Sequence, residues 1–299
     1  MGCLDPTDKV WTIRDQGQAV GRGWRRQHTT FLLLQDIQGL VLGPQEVNTR
    51  PLQAQRMIQR AARLLQAQGA SYRDVVRTWF YLSDILAWYP EFNRSRTAIY
   101  GQFGILPGQD NGRQKLPAST GIRGEVSPGS AGTLDLQAVV GPVESRPRVR
   151  QLSSPAQPEP LTYGSAFSRG ALIQEPDVSL IQVSGTAAID ERGRSLHVGS
   201  VRGQIDCTLD KIAALIGPEG ATLADIAAAC VFVKRPEDAL VYQERAAARG
   251  LENLPTVIMA ADVCRDELLF EMDAEVALSG SSELGPTLGQ SRRFFPCGL

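Results

Sequence analysis

In the run from Leu268 to Val276, the apolar residues Phe270, Met272, Ala274 and Val276 alternate with Glu271, Asp273 and Glu275. Successive side chains of a strand point to opposite faces, so this spacing predicts a strand with one apolar face and one face carrying three carboxyl groups. Carboxylates this close repel one another, and shelter from water penalises their charged forms further. A sheltered member of the set would hold a proton near neutral pH, which is what a general acid requires. On a solvated face the same three groups would be ordinary surface charge. The elements that cover the strand decide between the two.

Those elements occur twice. Gly69-Ala70-Ser71-Tyr72-Arg73-Asp74-Val75 and Gly220-Ala221-Thr222-Leu223-Ala224-Asp225-Ile226 share glycine, alanine, a small hydroxyl residue and aspartate in register. Before each lies one apolar helix stripe, Ile58, Ala61 and Leu65 in the first copy and Leu209, Ile212 and Ile216 in the second. After each lies a strand-like run, 78–82 and 229–233, and then a second helical segment near 88–100 or 236–249. Alternating strands at 30–34 and 180–184 precede the repeats, and strands at 134–137 and 270–273 close them. The closing strand of the first copy offers Asp135 and Gln137 at the positions expected to match Glu271 and Asp273, which disfavours a second working site. The fold class predicted is α+β, with two tandem α/β domains in which sheets pack against helices. The boundaries expected are a first domain over 1–145, a breaker-rich linker over 146–158, a second domain carrying the site over 159–280, and a tail over 281–299.

Composition narrows the function. The chain has 299 residues, net charge −1 and 42% hydrophobic residues, which suits a globular protein with a full core and argues against nucleic acid as partner. No apolar run is long enough to cross a membrane. Met1-Gly2-Cys3-Leu4-Asp5-Pro6 has neither the basic-then-apolar pattern of a signal peptide nor the hydroxyl residue that myristoylation favours. The five cysteines are scattered, with no C-x-x-C pair, and only His28 and His197 are histidines. A disulfide framework, a zinc site and a histidine-rich metal centre are all disfavoured, and reduced thiols fit a cytoplasmic setting.

The unit strand, Ser-Gly-Thr, helix, Gly-Ala-(Ser/Thr)-x-x-Asp-(Val/Ile), strand, helix, strand resembles the RidA/YjgF superfamily, whose fold is also described as chorismate-mutase-like. Imine-processing members carry an arginine just after the proline before the penultimate strand. Here Thr256 follows Pro255 and Ala118-Ser119 follows Pro117. A closer resemblance is to the chorismatase family, which fuses two such halves in one chain. It rests on Phe92-Asn93-Arg94-Ser95-Arg96, Leu116-Pro117-Ala118-Ser119-Thr120-Gly121-Ile122, Ala166-Phe167-Ser168-Arg169, Ser184-Gly185-Thr186-Ala187 and His197-Val198-Gly199, in that order. Arg123 stands where the family's pattern leads one to expect glycine.

The resemblance implies a chorismatase of lyase or hydrolase type in secondary metabolism. It would cleave the enolpyruvyl ether of chorismate to pyruvate and either a hydroxybenzoate, with 3-hydroxybenzoate favoured, or a dihydroxycyclohexadiene carboxylate. The lack of metal-ligand clusters agrees with the cofactor-free reaction on a small molecule that the resemblance implies. It implies Glu271 as the catalytic acid and Arg169 as a ligand for a substrate carboxylate. Tyr163, Ala187, Cys264 and Arg96 are implied as further pocket residues, while Asp273, Glu275 and His197 are expected to be structural. The alternatives are a non-catalytic RidA-like protein that binds a small ligand and an imine-processing homologue. The main site is expected at the boundary of the halves, in a monomer or small homo-oligomer.

Overall fold

The computed structural model describes residues 9–26, 28–43, 46–109, 116–141 and 148–279. The tail expected over 281–299 lies outside the described residues. The first half contains β1 (Lys9–Asp15), β2 (Gln18–Arg26), β3 (Thr29–Gln38), α1 (Arg50–Ala67), β4 (Val75–Leu82), α2 (Ile85–Gln102), β5 (Ala118–Arg123) and β6 (Gly132–Val140). The second contains β7 (Arg148–Leu152), β8 (Gly170–Gln174), β9 (Val178–Ala187), α3 (Val201–Ile216), β10 (Ile226–Val233), α4 (Asp238–Ala247), β11 (Thr256–Ala260) and β12 (Phe270–Ser279). Each half builds a six-stranded sheet, in the orders β1-β2-β3-β6-β4-β5 and β11-β10-β12-β9-β8-β7. The pairs β4–β5 and β10–β11 are parallel and their neighbours antiparallel. A parallel pair needs a crossover connection, and α2 and α4 supply it. This is the duplicated α+β arrangement expected. Arg148–Leu152, within the stretch expected to link the halves, is instead the edge strand of the second sheet, paired with β8.

The repeated stripes are the buried helix faces. Ile58, Ala61 and Leu65 of α1, and Leu209, Ile212 and Ile216 of α3, lie in the cores of their own halves. Gly69 and Gly220 adopt φ +74° and +80° directly after the helical segments, a conformation that favours glycine. The repeated aspartates have a local role. Asp74 accepts from the Ser71 amide at 2.8 Å, and Asp225 accepts from the Thr222 amide at 2.7 Å. Each closes a capping box on a short 3-10 turn that aims the next strand into the sheet.

Strand β5 joins the halves. The Ser168 amide donates to the Pro117 carbonyl at 3.0 Å, and the Ser119 amide donates to Ser184 Oγ at 2.8 Å. The Gly185 amide donates to Thr120 Oγ1 at 3.1 Å. Arg123 extends the seam, its amide donating to the Asp262 carbonyl and its guanidinium pairing with the Asp262 carboxylate, both at 3.0 Å. Two apolar clusters seal the contact. One gathers Phe31, Val76, Ala118, Val139, Ala171 and Ile173, and the other Ile122, Ala187, Ile189, Phe232, Val263 and Leu268.

Candidate active site

A small pocket, of about 60 Å³, opens where β5 and α2 of the first half meet β9, β12 and the preceding loops of the second. The structure brings Glu271, Arg169, Tyr163, Ala187, Cys264 and Arg96 together around it. Tyr89, Phe167, Gly185 and Arg265 also line it, and were not singled out from the sequence.

Glu271 is the second residue of β12, in register with Ala187 of β9 and Phe232 of β10. It is 5% exposed, and its carboxyl makes no hydrogen bond to another described residue. Burial pushes its pKa up to about 8, the neighbouring Asp273 carboxylate adds to the rise, and the Arg77 and Arg169 guanidinium groups oppose it. The group therefore carries its proton at neutral pH. Its close fit depends on a bulge in β9. Met272 pairs with Thr186 and Ala274 with Val183, so β9 carries one extra residue opposite Asp273, in the stretch Ser184-Gly185. A Cβ on Gly185 would lie 2.2 Å from Glu271 Oε1, so the absence of a side chain lets the carboxyl lie against the β9 backbone.

Two buried guanidinium groups face the same space. Arg169, 2% exposed, precedes β8. Its Nε and Nη2 donate to the Pro158 carbonyl at 3.0 and 2.7 Å, and Nη2 also donates to the Tyr163 hydroxyl at 2.8 Å. Among the described residues, none accepts from Nη1. Arg96, 1% exposed, sits on α2 and donates to Asn93 Oδ1 at 2.7 Å and to Ser119 Oγ at 3.4 Å, while its Nε finds no protein partner. The Phe167 ring lies 5.5 Å from the Arg96 guanidinium and 5.6 Å from that of Arg169, so one aromatic face serves both cations. Such buried, forked donors suit planar anions. Burial pushes the Cys264 thiol up to about 12, and Glu271 adds to the rise, so Cys264 is a neutral wall residue and not a thiolate. Burial raises the Tyr163 phenol as well, keeping it a hydrogen-bond donor.

The match between the closing strands differs from the one read in the sequence. Trp79 pairs with Asp135 as Cys230 pairs with Asp273, so Asp135 corresponds to Asp273 and not to Glu271. Gln137, likewise, corresponds to Glu275 and not to Asp273. Thr133, paired with Gln38 as Glu271 is with Ala187, holds the place of the acid. Asp36, at φ +54°, holds the place of Gly185, and Thr133 donates to it at 2.9 Å on an exposed face. The first half therefore has no buried acid at the equivalent position.

Among the described residues, no group of three or more His, Cys, Asp or Glu could hold a metal ion, and no helix is long and apolar enough to cross a membrane.

The chain matches no protein-family model. It is 30% identical to a chorismatase from Streptomyces hygroscopicus over 232 residues, 70% of this chain and 63% of that protein. It is 28% identical to a chorismatase from Streptomyces rapamycinicus over 227 residues, 69% of this chain and 65% of that protein. The chain thus spans somewhat less than two thirds of the length of these relatives. A chorismatase crystal structure at 1.08 Å resolution superposes with a TM-score of 0.68 at 24% identity, covering 87% of this chain and 78% of that one. The fold is the two-sheet α+β fold shared with that chorismatase structure. Over most of its length the chain is similar to these chorismatases.

Proposed function

We propose that this chain cleaves the enolpyruvyl ether of chorismate and releases pyruvate, with protonated Glu271 as general acid. The observation that carries the reading is one pocket holding a proton-bearing buried carboxyl and two buried guanidinium groups with spare donors. Chorismate is a dianion, and Arg169 and Arg96 match its two carboxylates in number. Tyr163 fixes the Arg169 fork and offers its hydroxyl to the same wall. With the arginines holding the substrate, Glu271 delivers its proton to the methylene carbon of the enol ether, and the former vinyl carbon becomes an oxygen-stabilised cation. General acid catalysis of this kind contributes roughly 10²–10⁴-fold, and holding the substrate in a water-poor pocket adds to it.

The cation has two outcomes. If water adds, the hemiketal collapses to pyruvate and a dihydroxycyclohexadiene carboxylate, with one water consumed. If the neighbouring ring hydroxyl participates, the ring loses a proton and aromatises to a hydroxybenzoate, with no water consumed. The reading favours 3-hydroxybenzoate. Cys264 lines the same pocket as Glu271, and on this reading its side chain takes room that an attacking water would need, while Ala187 suits either outcome.

Incubation with chorismate, a coupled pyruvate assay and chromatography of the ring product test the reading. Pyruvate with 3-hydroxybenzoate is expected. A diene diol without aromatic product overturns the product assignment. No pyruvate from folded protein at high concentration overturns the activity and leaves ligand binding without turnover. Turnover of imines is not expected, because neither Thr256 nor Ser119 supplies the arginine of the imine-processing relatives.

A further inference from the structure

Arg77 and Asp273 form a buried ion pair that the reaction as written does not use. Asp273 Oδ2 accepts from Arg77 Nη2 at 2.8 Å and from Thr120 Oγ1 at 2.6 Å, and Arg77 Nη2 also donates to Thr120 Oγ1 at 2.6 Å. Thr120 Oγ1 accepts the Gly185 amide too, and Gly185 is the residue against which the Glu271 carboxyl lies. The network therefore runs from β4 and β5 of the first half to β9 and β12 of the second. Arg77 is 1% and Asp273 4% exposed, and neither lines the pocket. Arg77 stacks on Trp79, its carbon Cζ 4.6 Å from the ring, and its Nε and Nη1 have no protein partner. The desolvation of a buried ion pair can cancel its attraction, so apolar residues of similar volume could hold the seam as well.

We propose that Asp273, held in place by Arg77 and Thr120 of the first half, is a positioning residue that keeps the Glu271 carboxyl protonated and seated against Gly185. The proposal rests on the reading of Glu271 as the acid. Asp273, two residues along the same strand face, is the negative charge that opposes ionisation of Glu271. Arg77 partly neutralises that charge and holds it in place, and Thr120 ties it to the bulge. The other titratable or charged groups facing Glu271 are Arg169 and Tyr163 before β8, Arg96 and Tyr89 on α2, and Cys264 and Arg265 before β12. None of the cations among them belongs to the pair, so all of them stay in place when the pair is altered.

The test is titration of Glu271 in the full chain by ¹³C-carboxyl-labelled glutamate NMR, with Glu271→Gln identifying the signal, alongside the pH dependence of pyruvate release. Asp273→Asn leaves Arg77 unopposed, and the Glu271 midpoint is expected to fall by about one pH unit or more, a tenfold loss of proton affinity. Arg77→Met/Asp273→Asn removes both charges and buries no lone ion. Its midpoint is expected between the wild-type and Asp273→Asn values, because the carboxylate outweighs the guanidinium in its effect on Glu271. A merely structural pair would leave the midpoint in place in both variants and make Asp273→Asn, which strands a buried guanidinium, the less stable of the two. An unmoved midpoint in Asp273→Asn overturns the proposal. Should Asp273→Asn fail to fold, a double-variant midpoint at or above the wild-type value overturns it, and one below supports it. The NMR readout needs no turnover, so absence of pyruvate from the wild type counts against the proposed activity and not against the coupling.

Discussion

Replacing Glu271 by glutamine should change how stability depends on pH. The side chain ordinarily titrates near 4.5 and here near 8, raised first by burial and then by Asp273. At about 1.4 kcal/mol for each pH unit, holding it ionised inside the fold costs about 5 kcal/mol. The folded state binds this proton more tightly than the unfolded chain does. The stabilising contribution is therefore complete below the unfolded value near 4.5, falls as pH rises, and is lost once pH passes the folded value near 8. Glutamine keeps a neutral group of the same shape at every pH and abolishes this slope. The assay is urea unfolding of both proteins across the range from about pH 5 to about pH 9, with the difference in unfolding free energy plotted against pH. Other titrating groups are common to both proteins and cancel. Wild type should lose stability relative to Glu271→Gln by several kcal/mol across that window, then level off. Parallel curves, or a wild type that gains on the variant as pH rises, would refute a buried, proton-bearing Glu271 and with it the proposed acid.

The same group sets the rate expectations. Pyruvate release should decline as pH rises through about 8, as the acid loses its proton, and Glu271→Gln should lower kcat by roughly 10²–10⁴-fold without loss of fold, read by pyruvate assay and circular dichroism. Gly185→Ala places a Cβ 2.2 Å from Glu271 Oε1, so kcat should fall by at least about tenfold through displacement of the acid, and a crystal structure should show the carboxyl moved. Arg169→Met removes a charge-assisted carboxylate contact worth about 1.5–3 kcal/mol, so KM for chorismate should rise by about tenfold or more in steady-state kinetics. Asp225→Ala breaks the capping box of the second half and should cost about 0.5–2 kcal/mol in urea unfolding while leaving kcat/KM unchanged.

The duplication was legible because its strongest signals are local. Helix stripes and capping boxes depend on spacing within a few residues, so both copies display them independently of how the halves meet. The alternation around Glu271 was legible for the same reason. Burial of that face was not, since the cover comes from β5 and α2 of the other half. Arg77 left a signal that was not used. It is a charged residue inside the strand run Val75-Val76-Arg77-Thr78-Trp79-Phe80, and a buried charge needs a partner. The partner, Asp273, lies far along the chain, beyond the reach of any spacing argument.

The mismatch of the closing strands shows where pattern reading stops. Strand faces repeat every two residues, so aligning Asp135 with Glu271 or with Asp273 puts the same side chains on the same faces. Only the hydrogen-bonded partners separate the two registers, and they set Asp135 beside Trp79 in the place of Asp273. A second working site in the first half was already disfavoured, and the corrected register gives a different reason for it. With Asp135 in the acid's place, a second site would need only shelter to work. With Thr133 there and Asp36 in the place of Gly185, a carboxylate has moved across to the neighbouring strand, where it is exposed and accepts the Thr133 hydroxyl. In the acid-bearing half, by contrast, the glycine leaves room for the carboxyl and the neighbouring half supplies its cover. Among the described residues, the position of Glu271 therefore carries a buried carboxyl in the second half only, in a pocket to which the first half contributes Arg96, Ser119 and Tyr89.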